Sequence, residues 1–175
     1  MRKILIVVDM QNDFIDGSLG TPEAAAIVEK VKEKIRAYDP GDIVATMDTH
    51  SADYLQTQEG RNLPVEHCIR GTAGWQIRED IRELLAGSRI IEKPTFGSVQ
   101  MAEEMKEIFQ QEKGEVAFEV IGLCTDICVV SNALLLKAMM PEAEIAVDAA
   151  CCAGVSPRLH EAALDTMRSC QINVV

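Results

Sequence analysis

No apolar run in the chain approaches the ~20 residues that a membrane-spanning helix needs, so no membrane partner is expected. The basic start "MRKILIVVD" carries only a short apolar stretch, Ile4 to Val8, which meets Asp9 with no small-residue cleavage site behind it. It therefore reads as a first buried strand rather than a secretory signal, and the expected location is cytoplasmic. Positive charge is scarce and scattered: 17 Lys and Arg stand against 28 Asp and Glu, a formal net charge of −11. Phosphate backbones are bound by clustered positive surface, so no nucleic-acid partner is expected. There is no C-x-x-C pair. The six cysteines, at 68, 124, 128, 151, 152 and 170, read as thiols rather than a disulfide framework. Burial as a small hydrophobe is the ordinary role of each. No internal repeat, low-complexity tract or Pro/Gly linker divides the chain, which leaves 1–175 as one domain.

What the chain does have is alternation. Short β-branched runs at Lys3–Val8, Ile43–Met47, Arg89–Glu92, Glu115–Ile121, Glu144–Asp148 and Gln171–Val174 read as strands. Between them, Pro22–Tyr38 places Ile27, Val28, Val31 and Ile35 on one helical face. Ser98–Glu112 repeats the pattern behind a good N-cap, Ser98. Ser156–Ser169 does so again, with Ser156 as cap and Pro157 at the first helical position. Continuous apolar strands separated by helices imply an α/β fold, a parallel sheet covered on both faces. The longest stretch without periodicity, Asp48–Thr72, holds two of the three histidines. A loop of that length is usually functional or disordered.

In open α/β sheets ligands sit beyond the carboxyl ends of the strands. Here the first strand ends at Asp9, the second at Asp48, the third at Lys93, and the fourth leads through Gly122 to Cys124 and Cys128. Each has a bland reading alone, as a cap or a surface charge. Together, an acid, a lysine and a thiol at one sheet edge suit nucleophilic catalysis, in which a thiolate attacks and a carboxylate moves its proton. Helical periodicity from Ile127 onward puts Cys128 near a helix N-terminus, where N–H groups favour an anion. Cys124 falls in the turn before it. Cys128 is therefore the expected nucleophile, and Cys124 is expected to contribute backbone. In the loop, Asp48 and His50 form a D-x-H pair with Glu59 and His67 downstream, ligand chemistry for a divalent transition metal. His160, in the last helix and away from this group, reads as structural.

These segments in this order, "IVVDMQNDFIDGSL", "TMDTH", "HCIRGTAGW", "EKPTFGS" and "GLCTDICVV", resemble the isochorismatase-like cysteine hydrolases, and among them the nicotinamidase-like members. The resemblance implies a three-layer α/β/α fold with a six-stranded parallel sheet, and members that are commonly homo-oligomers. It matches Asp9, Lys93 and Cys128 to a catalytic triad. Asp48, His50 and His67 match metal ligands, with Glu59 as a fourth carboxylate ligand. One divalent ion per chain is implied, zinc first, with iron or manganese as alternatives. A cis peptide between Leu123 and Cys124 is implied too, aiming the N–H groups of Cys124 and Cys128 at an oxyanion. The implied reaction is hydrolysis of a small amide through a thioester, nicotinamide being the first substrate to consider.

One departure concerns the ring pocket. Nicotinamidases often carry aromatic residues before the second metal histidine, where this chain has "NLPVEHC" and Leu63. Phe14 and Phe96 remain as aromatic walls in a chain only 4% aromatic. The competing expectations are a metal-free relative acting on another small amide or carbamoyl compound, and a catalytically silent binding or regulatory protein. An isochorismatase acting on a vinyl ether is disfavoured because such members lack the nucleophilic cysteine that Cys128 supplies.

Overall fold

The computed structural model describes all 175 residues. Six strands, β1 (Arg2–Val8), β2 (Ile43–Asp48), β3 (Arg89–Lys93), β4 (Val116–Leu123), β5 (Glu144–Ala153) and β6 (Asn173–Val174), form one sheet in the order β3-β2-β1-β4-β5-β6. Every neighbouring pair is parallel. The chain lays β2 and β3 to one side of β1, then returns to lay β4, β5 and β6 on the other. The direction of winding therefore reverses between β1 and β4. A crevice opens at such a reversal, because the connections leave the two strand ends in opposite directions.

Alternate residues of β1 feed two cores. Ile4, Ile6 and Val8 pack on one face with Met101, Met105, Leu136 and Leu164. Leu5 and Val7 pack on the other with Val28, Val31, Ile35 and Ile81. Each such side chain contributes about 1.5–3 kcal/mol when fully removed from water, and a strand buried on both faces needs no polar alternation. The helices are α1 (Asn12–Ile15), α2 (Pro22–Ala26), α3 (Val28–Arg36), α4 (Gln58–Asn62), α5 (Glu79–Leu84), α6 (Val99–Gln111), α7 (Val130–Met139) and α8 (Pro157–Ser169). Both expected serine caps form: Ser98 accepts from the Met101 N–H, and Ser156 from the Leu159 N–H. None of the helices is long and apolar enough to cross a membrane.

Three local expectations need correction. The helix expected over Pro22–Tyr38 is interrupted at Ile27 and becomes α2 and α3. β5 does not stop at Asp148 but runs on to Ala153, past a register shift opposite Val120 and Gly122. Asp148 looked like a strand end because it is charged. In place it is 2.7 Å from Lys34 Nζ, which neutralises it within the strand. The segment after β4 does not begin as an α-helix: Thr125–Val129 forms a π-helical turn, and α7 follows it at Val130. Single-turn π segments recur at functional sites, and this one carries Cys128.

Candidate active site

Parallel register brings the strand ends together. Asp48 is the direct partner of Lys93, and Val8 is the partner of both Thr46 and Gly122. Asp9 follows β1 with φ 49°, a left-handed conformation that turns its side chain out of the strand's alternation. Lys93, only 1% exposed, reaches across this edge. Its Nζ lies 2.7 Å from Asp9 Oδ2, 3.4 Å from Cys128 Sγ and 3.5 Å from Asp48 Oδ1, and donates to the Thr95 carbonyl at 3.0 Å. The Thr46 hydroxyl donates to Asp9 Oδ1 at 2.7 Å. Asp9 Oδ2 has no aligned hydrogen-bond donor despite the nearby ammonium. An acceptor oxygen is thus held ready beside a thiol.

The electrostatics follow from burial and proximity. Burial raises the Asp9 carboxyl above its ordinary range, Lys93 opposes that rise, and Asp48 adds to it. Burial disfavours the Lys93 ammonium, but Asp9, Cys128 and Asp48 outweigh it and hold Lys93 charged. Burial pushes the Cys128 thiol well up, helped by Asp9 and opposed by Lys93. The resting group is therefore a thiol beside an Asp–Lys ion pair.

The turn that presents Cys128 is built from backbone requirements. Gly122 has φ 119°, and a Cβ there would collide with the Val8 carbonyl oxygen. The Leu123–Cys124 peptide is cis. The Cys124 carbonyl accepts from the N–H groups of Ile127 and Val129, whereas the Cys124 N–H donates no backbone hydrogen bond. Behind the turn, buried Asn132 donates to the Cys128 carbonyl at 2.8 Å and accepts from the Ser98 N–H at 2.8 Å. That ties the turn to the start of α6.

Beside Lys93 lies a second constellation. Asp48 Oδ2 is 3.0 Å from His50 Nε2 and 3.7 Å from His67 Nε2, and Glu59 Oε1 is 3.6 and 3.7 Å from the same two nitrogens. One ligand atom each from Asp48, His50 and His67 falls within a 4.8 Å cluster. His67 Nδ1 meets the Val65 carbonyl at 2.8 Å. A carbonyl only accepts, so Nδ1 carries the proton and Nε2 offers its lone pair to the cluster. His50 Nε2 is buried without a hydrogen-bond partner. Burial disfavours a charged His50, but Asp48 and Glu59 outweigh it and raise its pKa. Two imidazole nitrogens and two carboxylates converging in a field that favours positive charge fit a divalent transition metal such as zinc.

A cavity of about 420 Å³ joins the two constellations. Asp48, Glu59 and His67 line one end, and Cys124 and Cys128 line the other. Phe14, Leu63 and Phe96 all line it as well, and Leu63 and Phe96 are exposed at its mouth. Every residue singled out at the strand ends and in the loop thus faces one space, or contacts a residue that does.

The isochorismatase domain model matches residues 3–175. The chain belongs to the isochorismatase family. Among its relatives is the nicotinamidase/pyrazinamidase of Mycobacterium tuberculosis, 27% identical over 184 residues, covering 99% of this chain and 98% of that protein. The pyrazinamidase of Pyrococcus horikoshii, solved in complex with zinc, superposes with a TM-score of 0.77 at 29% identity, covering 100% of this chain and 99% of that one. N-carbamoylsarcosine amidase from Thermoplasma acidophilum superposes at 0.74 with 29% identity, covering 99% and 95%.

In this isochorismatase-family chain several supporting residues escaped the sequence reading. Gln11 is fully buried. Its side chain accepts from the Asp48 N–H at 2.7 Å and donates to the carbonyls of Asp48 and Trp75, each at 2.8 Å. Tyr54 packs its ring 4.7 Å from His50 and 5.0 Å from His67, and donates to the Leu63 carbonyl. Gln11 carries no signal beyond its place in a quoted segment and Tyr54 carries none, since a buried polar partner is visible only in three dimensions. His160 stands outside the histidine–carboxylate cluster, as expected. Its Nδ1 lies 2.8 Å from Thr125 Oγ1, in the turn that carries Cys128. Replacing Gln11 by Leu is expected to weaken the binding of a divalent metal ion at the cluster about 10–100-fold, as loss of a partner that orients a ligand does. Competition with a chromophoric chelator measures this, and unchanged affinity would remove Gln11 from the ligand support.

Proposed function

We propose that this chain is a cysteine amidohydrolase that cleaves the C–N bond of a small aromatic amide, with nicotinamide, giving nicotinate and ammonia, as the foremost substrate. What carries the reading is the buried Asp9–Lys93 ion pair, 2.7 Å apart, with Lys93 Nζ 3.4 Å from the Cys128 thiol, in a cavity shared with a histidine–carboxylate cluster. Asp9 takes the thiol proton, and Cys128 Sγ attacks the amide carbonyl to form a tetrahedral adduct. Lys93 stabilises the developing negative charge, and the N–H groups of Cys124 and Cys128 receive the oxyanion. Asp9 returns the proton to the departing ammonia, leaving a thioester. It then deprotonates the water that releases the acid and restores the thiol. Asp48, His50, His67 and Glu59 would hold one divalent ion, zinc first, which would supply a Lewis-acid anchor for a heteroaromatic nitrogen.

The test is an ammonia-release assay on nicotinamide with zinc-loaded protein and with protein stripped by a chelator. Turnover is expected with zinc, with most of it lost on stripping and regained on reloading. Turnover that survives complete stripping would remove the metal from the reaction. A second reading has its own support: Leu19, Leu63 and Ile127 give the cavity an aliphatic wall, and the Thermoplasma acidophilum relative is named for a carbamoyl substrate. Under that reading a linear carbamoyl amide is hydrolysed faster than nicotinamide in the same assay.

A further inference from the structure

The π-helical turn at Thr125–Val129 is closed by shared backbone hydrogen bonds, the Val130 N–H dividing between the Thr125 and Ile127 carbonyls. The Ile127 and Val129 N–H groups share a single acceptor, the Cys124 carbonyl, at 3.1 and 3.0 Å. Such turns are rare and do not extend beyond a single turn, so contacts from neighbouring segments help to set the shape of this one. On the α7 side that support is Asn132, described above. On the opposite flank it comes from the connection between β5 and α8. The Val155 N–H donates to Asp126 Oδ1 at 2.9 Å. His160 Nδ1 and Thr125 Oγ1 pair at 2.8 Å. Thr125 is fully buried, so its hydroxyl needs a partner inside the protein. The approach is close enough that a Cβ at Gly154 would sit 2.8 Å from Asp126 Oδ1 and 2.9 Å from the His160 nitrogen.

We propose that the Thr125–His160 pair is a brace that sets the position of Cys128, and that His160 is a positioning residue for the nucleophile. Cys128 lies three residues after Thr125 in the same turn. Its sulfur must meet Asp9 and Lys93, which belong to other strands. The brace fixes the turn to α8, and α8 is itself held on the sheet by Leu164 and Met167. His160 lies within the first two turns of α8, and its backbone N–H is already bonded to the Ser156 carbonyl at 2.9 Å. The helix therefore stays anchored when the imidazole is removed, whereas the turn loses its side-chain link to α8 and keeps only the Val155 N–H bond on that flank. A small displacement of sulfur is then felt as lost rate, since about 1 Å of misplacement can cost about 100-fold.

The inference rests on the reading of Cys128 as the nucleophile, and the experiment separates the two. His160→Phe keeps ring volume without the nitrogen, His160→Asn restores a polar atom near the position of Nδ1, and Thr125→Val removes the other partner. For His160→Phe, kcat for amide hydrolysis is expected to fall about 10–100-fold, with KM within about threefold and the melting temperature within about 5 °C of the parent. His160→Asn is expected to recover at least about half of that loss on a logarithmic scale. The double variant Thr125→Val/His160→Phe should be no slower than the worse single variant, because both remove one interaction. A second readout needs no substrate: iodoacetamide labelling of Cys128, read by peptide mass spectrometry against exposed Cys170. Labelling of Cys128 is expected to slow several-fold in His160→Phe and to recover in His160→Asn. Unchanged kcat together with unchanged labelling overturns the brace, and so does additive loss in the double variant. If the parent protein hydrolyses no amide, the proposed function fails and the labelling arm still decides the brace.

Discussion

Cys128→Ala is expected to lower amide hydrolysis by about 10⁴-fold or more, since removing the nucleophile of a covalent mechanism leaves only binding and oxyanion contacts. The physical reason is local to one atom. Sγ sits 3.4 Å from Lys93 Nζ, which is itself 2.7 Å from Asp9 Oδ2 at the same edge, whereas Lys93 makes no hydrogen bond to the Cys124 sulfur. Cys124→Ala keeps the backbone N–H and is expected to retain activity within about tenfold of the parent, the loss of one well-placed donor being worth about 100-fold or more. Initial rates of ammonia release measure both. Rapid quenching with mass spectrometry should show an acyl adduct on the Cys128 peptide in the parent and none in Cys128→Ala. A Cys124→Ala variant as dead as Cys128→Ala, yet folded, would reverse the division of labour between the two thiols.

Gly122→Ala is expected to be the most damaging small substitution for stability. The residue holds φ 119°, and its missing Cβ is where the Val8 carbonyl oxygen approaches. Relief would require β1 and β4 to separate at the reversal point of the sheet, where neither strand can move without disturbing both cores. A loss above about 4 kcal/mol, or failure to fold, is therefore expected. Gly71 is the control: it also has positive φ, 87°, but nothing lies within 4 Å of its virtual Cβ. Gly71→Ala carries only the backbone penalty, about 1–3 kcal/mol. Urea unfolding of the two variants should separate strain from collision. Equal losses would mean that the approach of Val8 is not what demands glycine.

The α/β class and most strand positions were legible because periodicity reports burial directly. β1 is a continuous apolar run with both faces covered, and α6 and α8 carry their caps in sequence. Legibility failed where charge or small residues hide structure. Asp148 was read as an end because its partner Lys34 is far away in sequence. The run Ala149–Ala153 has no pattern that separates strand from loop. The π-helical turn was read as an α-helix, since Ile127, Val130 and Ala133 fit the common period and one extra residue in a turn leaves no signature.

The candidate site divides in the same way. Residue type and position at strand ends singled out Asp9, Asp48, Lys93 and Cys128, because a parallel sheet collects its carboxyl ends at one edge whatever the connections are. The loop histidines stood out by their scarcity. Gln11, Asn132, Tyr54 and the Thr125–His160 pair did not, because each acts through a hydrogen bond or ring contact that exists only once the chain has folded. Composition and periodicity by themselves determined which elements exist and which chemistry is available. Only the tertiary structure decided that Lys93 reaches both the thiol and the ligand cluster, and that α8 braces the turn presenting Cys128. Burial and distance set those interactions, and neither exists until the chain has folded.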